Sequence, residues 1–320
     1  MLRRVFTGSV FALAALGARS VRAQSSAIVL ALPASARAAS AGDAAPFATD
    51  ASALFYGAQH LPETRAVTAS GGTWVGDATL ATVAFSTPVR WRRWAPSVLA
   101  LGVQALDYGN ADEMVPDPLT GGTRGTPTGS TVSGNEVAIS AGMGQRFGRQ
   151  RAGWALTYVR QTVADLSASA LTMSGAAGVT IGHWDVDLSS EHVTLGGRNP
   201  ARRTLTLPST TRFSVATPVV SMADFDWRGV GEIRRTNGEG TTSLVGLEGE
   251  YETDAGWVLD LRAAGLTYSD ETTRAPWSVG GSAARGAWSF DYAYQGFGAL
   301  GAVHRMGVTW RSRDRRNPSR

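Results

Sequence analysis

The chain has 320 residues, 38 of them glycine and none cysteine, with 43% hydrophobic residues and a formal charge of +4. That charge sits at the start: Arg3, Arg4, Arg19 and Arg22 fall within residues 1–23 without an acid, leaving 26 basic against 26 acidic residues downstream and no basic footprint for a nucleic-acid partner. The missing cysteine excludes a disulfide scaffold, zinc–thiolate sites and thiol catalysis.

Taken in chain order, residues 1–23 read as a secretory signal peptide. Arg3 and Arg4 precede an apolar run over 5–17, and Val21, Arg22 and Ala23 fit a small-residue cleavage site before Gln24. No later run approaches the roughly 20 apolar residues of a spanning helix. Residues 24–65 are apolar, Ala-rich and poor in strand signals, with Asp50 placed to cap a short helix over 51–59. Too short to stand alone, this segment is expected to pack against, or inside, the main body. Residues 66–310 alternate apolar and polar positions in short segments broken by Gly, Asp, Asn or Pro, the signature of an all-β chain. Residues 109–134 read as a Gly/Pro/Thr-rich surface loop, with a disordered insertion the alternative for its middle part, and 311–320 as a basic, solvated tail.

The alternation fixes two faces, not which one meets water. Trp288, Phe290, Tyr292 and Tyr294 lie on one face of their segment, and Ser289, Asp291, Ala293 and Gln295 on the other. In a sandwich the aromatics fill a core; in a membrane barrel they face lipid, and the charges face a polar lumen. A sandwich this large leaves two sheet edges to protect, whereas closure removes them and is obligatory in lipid. The expected fold is therefore all-β: a closed antiparallel transmembrane β-barrel of about 12–14 strands, with the N-terminal segment as a plug. Arg146, Asp185, Asp187, Asp224, Asp226, Arg228, Glu248, Glu250, Asp260, Arg262, Asp291 and Arg305 are then lumen-facing charges. The simplest role for them is a salt-bridged, hydrated interior that avoids unpaired buried charge; the sharper one is a solute path.

The N-terminal segment carries a resemblance. Leu32-Pro33 followed by Arg37 and Gly42, then Asp50-Ala51-Ser52-Ala53 with Leu61, resembles the start of PorV/PorQ-type outer-membrane proteins, which are related to the FadL-like transporters. The match is strong only over residues 28–61. It departs where 57–60 read Gly-Ala-Gln-His and where Asp43 replaces a glycine. The resemblance implies a barrel of about 14 strands occluded by this segment, with Leu54, Phe55, Tyr56, His60 and Leu61 as the plug and ligand-contacting residues.

Catalytic motifs are missing. The stretch 296–301, GFGALG, has the letters of a dinucleotide fingerprint, but a strand follows it rather than a helix, so it reads as a tight hairpin. His304 shares parity with Met306, Val308 and Trp310, on the outward face away from Asp291. His183 is assigned to the lumen with Val179 and Ile181, and His60 and His192 lack metal-ligand spacing. No enzyme activity, cofactor or metal is expected. The leading expectation is an outer-membrane barrel that binds or passes hydrophobic or amphipathic small molecules through a plugged lumen, with membrane lipid around it. The alternative is a secretion-associated or surface-docking scaffold with protein partners. An outer-membrane hydrolase is disfavoured.

Overall fold

The computed structural model describes residues 27–90, 95–116, 125–198, 207–238, 240–268, 276–297 and 301–312. The expected cleavage site at Ala23 and nearly all of the basic tail lie outside them. Fifteen strands follow in order: β1 Ala66–Thr73, β2 Thr79–Val89, β3 Ser97–Pro116, β4 Gly125–Phe147, β5 Gln150–Val163, β6 Leu166–Ile181, β7 Trp184–Arg198, β8 Thr210–Ala216, β9 Val220–Met222, β10 Phe225–Thr236, β11 Gly240–Glu252, β12 Val258–Tyr268, β13 Trp277–Arg285, β14 Trp288–Gly296 and β15 Ala302–Arg311. Each pairs antiparallel with its neighbour, and β15 pairs with β1, so the sheet closes. The strands β8 and β9 occupy one wall position between them. Both pair with β10, and the break at 217–219 is bridged by Thr217 N–H donating to the Gly229 carbonyl at 2.8 Å. The wall is thus a closed 14-strand barrel.

The side-chain period of two decides the rest. Leu99, Leu101, Val103, Ile139, Tyr158, Leu247, Leu261 and Phe290 point outward and are exposed, while Ser140, Thr157, Asp187, Glu232, Asp260 and Arg262 point inward and are buried. Apolar side chains outside and polar ones inside is the pattern that lipid demands of a barrel. One end, where β1 begins and β15 stops, carries two-residue turns at 148–149, 182–183, 223–224 and 286–287. The opposite end carries most of the longer connections.

Four expectations are corrected. The described part of 109–134 is not a loop: 110–116 and 125–133 continue the β3–β4 ladder as a two-stranded ribbon, with register shifts after Asp107 and Asp112, and 117–124 lie outside the described residues. Their β-branched content (Val115, Thr126, Thr128, Thr131, Val132) suits a pleated ribbon better than the surrounding glycines suggest. Asp224 is not on the wall; it sits exposed in the turn after β9 with φ 66°, a left-handed conformation that Asp tolerates. His183 lies exposed in a turn, and Ile181 points outward, because the β6 parity is the reverse of that assumed. The helix after Asp50 is a 3-10 turn over Ala51–Tyr56, stopped by Gly57 at φ 96°, rather than a helix to Gln59.

Candidate functional site

Residues 27–61 fill the lumen from the long-connection end to the short-turn end. Proline at positions 33 and 46 and alanine at 13 of the 35 positions leave this chain no strand alternation and little side-chain bulk, so it folds as one short helix, α1 (Ala36–Ser40), and three 3-10 turns. The Ser35 side chain caps α1 by accepting from Ala38 N–H at 3.2 Å, and Asp50 caps the last turn by accepting from Ser52 N–H at 2.7 Å.

At the long-connection end, Ala27, Val29, Leu30 and Leu32 pack with Leu80, Leu106, Ala138 and Val159 of the wall. At the other end Leu54, Phe55, Tyr56 and Leu61 pack with Ala84, Val98, Ala100 and Ala155. These four plug residues are buried in packing, and Leu61 also edges a small pocket with Gln59, Pro88 and Val98. The wall meets this segment at glycines: a Cβ on Gly153 would overlap the Gly57 carbonyl, and one on Gly144 would overlap that of Ala58. Backbone can approach backbone there only because neither wall residue has a side chain.

Polar side chains dock the middle of the segment. Asp43 is the centre of one network: its carboxylate lies 3.1 Å from Arg212 and 3.2 Å from Arg234 and accepts from the Tyr56 hydroxyl at 2.5 Å, while its carbonyl accepts from Arg212 at 2.7 Å. The Tyr56 hydroxyl donates to this carboxylate and accepts from Ala34 N–H at 3.0 Å. Arg212 also pairs with Glu191 at 3.0 Å and Glu232 at 2.9 Å. Gly42 and Asp43 are both left-handed, at φ 71° and 65°. The Asp43 carboxylate anchors the two arginines from this left-handed backbone.

A second network joins Arg37 of α1 to Glu248 and, at 3.1 Å, to Asp260. Arg262 reaches Glu248 at 2.9 Å, Asp260 at 2.8 Å and Asp291 at 3.2 Å. At the long-connection end the fully buried Glu136 accepts from Val29 N–H and the Tyr108 hydroxyl at 2.7 Å each and from Gln161 at 2.8 Å. Buried charges of this kind are tolerated when they are paired and hydrogen-bonded. Arg305, 1% exposed, donates to the Pro33 carbonyl and, at 3.4 Å, to Ser70 Oγ.

Below the plug, at the short-turn end, a cavity of about 490 Å³ opens; Asp226, Arg228, Glu250 and Arg311 line its wall, and Arg37 and Thr49 of the plug, with Glu248 and Asp260, close it above. Of the sequence-selected residues, Glu248, Asp260, Arg262, Asp291 and Arg305 therefore hold the plug, while Asp226, Arg228 and Glu250 line this vestibule. Arg228 pairs with Asp185 at 3.2 Å. His60 lies 3.3 Å from Asp187, and Arg146 is at the rim, 3.0 Å from Glu63 with both exposed. Sequence reasoning missed Arg151, Glu191, Arg212, Glu232 and Arg234. Parity held the signal: Arg212 flanks outward Phe213, and Glu232 and Arg234 flank outward Ile233.

No protein-family model matches the chain, and no curated protein matches it. Its fold is similar to solved outer-membrane proteins. A Pseudomonas aeruginosa FadL homologue superposes with a TM-score of 0.54 at 10% identity, covering 86% of this chain and 98% of that one. The Ralstonia pickettii toluene transporter TbuX gives 0.53 at 10%, covering 87% and 98%. The TodX monoaromatic hydrocarbon channel, in a deltaS2 mutant form, gives 0.56 at 9%, covering 88% and 98%.

Proposed function

We propose that this chain is an outer-membrane barrel of the FadL-like kind, exported by a cleaved signal peptide, that binds or passes hydrophobic or amphipathic small molecules through a lumen closed by its own N-terminal segment. One observation carries the reading: residues 27–61 thread a closed 14-strand wall and are docked there by ion pairs, above a vestibule open at the short-turn end. Two fold neighbours described as a toluene transporter and a monoaromatic hydrocarbon channel support the solute class. The vestibule adds a bias toward amphipathic solutes, since Arg37, Asp226, Arg228, Glu250 and Arg311 suit a polar end better than a bare hydrocarbon. The PorV/PorQ resemblance, strong over residues 28–61, supports the plug and leaves a docking role as the second reading. The projecting β3–β4 ribbon, with exposed Met114 and Val115, is what favours that second role.

The test uses purified protein in planar bilayers and proteoliposomes. The intact chain is expected to be nearly silent, and a variant lacking residues 43–61 to conduct steadily. Radiolabelled toluene or dodecanoate is expected to load proteoliposomes faster than protein-free vesicles. If intact protein and deletion variant conduct alike, the segment is no plug. If neither probe loads faster, the transport reading fails and docking takes its place.

A further inference from the structure

On the outer wall at the short-turn end, Trp257, Arg285, Trp288, Phe290 and Val308 enclose an apolar groove of about 390 Å³. Arg285, Trp288, Phe290 and Val308 are outward by strand parity, and Trp257 sits just before β12. Arg285 pairs in register with Trp288, and Phe290 with Val308, so two rows of one face build a continuous trough running from the rim toward the middle of the wall. Arg285 stands at the rim end. Its guanidinium lies 5.4 Å from the Trp257 ring centroid, a cation–π contact that holds it over the trough's mouth. Among the described residues no carboxylate forms an ion pair with it, in contrast to Arg212 and Arg262 of the lumen, each of which pairs with three carboxylates.

We infer that this groove is a binding site for one phospholipid, with its anionic phosphate on Arg285 and one acyl chain along Trp288, Phe290 and Val308. An outward-facing guanidinium on a lipid-exposed wall needs a counter-charge, and at headgroup level a phosphodiester supplies it. The two indoles flank that level, as girdle residues do, while Phe290 and Val308 face the hydrocarbon beneath. Charge and apolar surface are therefore arranged in the order of a phospholipid's own parts. The site presupposes a membrane-embedded wall and nothing about the lumen, so a failed transport assay leaves it standing.

The experiment is native mass spectrometry of the full-length protein in detergent, titrated with phosphatidylglycerol, and with phosphatidylcholine as the arm of zero net charge. Folding of each variant is verified by heat-modifiable gel mobility. One phosphatidylglycerol is expected to bind first, with at least about fivefold lower occupancy in Arg285→Gln and near-full occupancy in Arg285→Lys. Arg160→Gln, on the outer wall at the opposite end, is expected to leave binding unchanged. Phe290→Ala tests the acyl half and is expected to lower occupancy without altering the preference for phosphatidylglycerol. Equal occupancy in Arg285→Gln and the parent overturns the site. Displacement of the lipid by glycerol phosphate at equal concentration also overturns it, because the groove would then contribute nothing. A protein that is soluble and monomeric without detergent would instead sink the membrane reading on which the site rests.

Discussion

Replacing Asp43 with asparagine should release the plug without disturbing the wall. Asparagine matches the shape of the side chain and tolerates the left-handed backbone that position requires, so the change is one of charge. Two buried guanidiniums lose the carboxylate at 3.1 and 3.2 Å, and the new amide turns donors toward donors. Breaking a buried ion pair by removing one partner costs about 3–5 kcal/mol. Arg212 keeps Glu191 and Glu232, so the lower figure applies, and about 3 kcal/mol corresponds to a population of undocked plug raised about a hundredfold. The chain has no cysteine, so a single Ala48→Cys placed at a fully buried plug position reports undocking through its rate of maleimide labelling. Asp43→Asn in that background should speed labelling about a hundredfold and raise open probability in bilayers. The exposed Arg146–Glu63 pair supplies the control: Glu63→Gln should change the rate by less than about fivefold. Equal labelling in the Asp43→Asn and parental proteins would refute the anchor.

Gly153→Val leaves every charge in place but drives a side chain into the Gly57 carbonyl; overpacking costs about 1–3 kcal/mol, and bilayer recordings should show more openings while the barrel stays folded. Val245, outward at mid-strand in β11, should cost about 2–4 kcal/mol when changed to Arg, whereas Trp227→Arg, close to the rim, should cost about 0–1 kcal/mol, both by unfolding in lipid vesicles. Mass spectrometry of envelope protein should find Gln24 as the first residue; retained Met1 would remove the export step from the proposal.

Parity made most of the wall legible in the sequence, because a strand's side chains have only two directions. Asp226, Glu248, Asp260 and Asp291 fall inward for that reason alone. Parity fails where the chain leaves the ladder. Asp224 looked like the next member of the Asp226 series, but the turn before β10 intervenes. Trp227 faces outward as its neighbours imply, yet its height, three residues from that turn, is not encoded in its alternation. The docking of the plug was less legible. Arg37 and Asp43 stand 211 and 169 residues from Glu248 and Arg212, and no local pattern links an alanine-rich coil to a wall partner so distant. Short proline- and alanine-rich turns signalled a segment that cannot fold by itself, and stopped there.

The contacts that hold this segment also set the order in which the molecule can be made. They span separations from 34 residues, for Ala36 with Ser70, to 272, for Pro33 with Arg305 of the final strand. The wall shuts when that same strand meets β1, the strand into which the inner segment runs directly. A 35-residue segment docked at both ends and along its length threads a finished cylinder, four of whose turns at one end are two residues long, less readily than it lies down on an open sheet. The direct route lays it against a half-built sheet and encloses it as the last hydrogen bonds form. Contacts of such range form late and slowly. The nascent protein would therefore spend its assembly as an open, charged trough, dependent on water to solvate Arg212, Glu232 and Arg262 until the coil arrives, and a chain lacking β15 would stay in that condition.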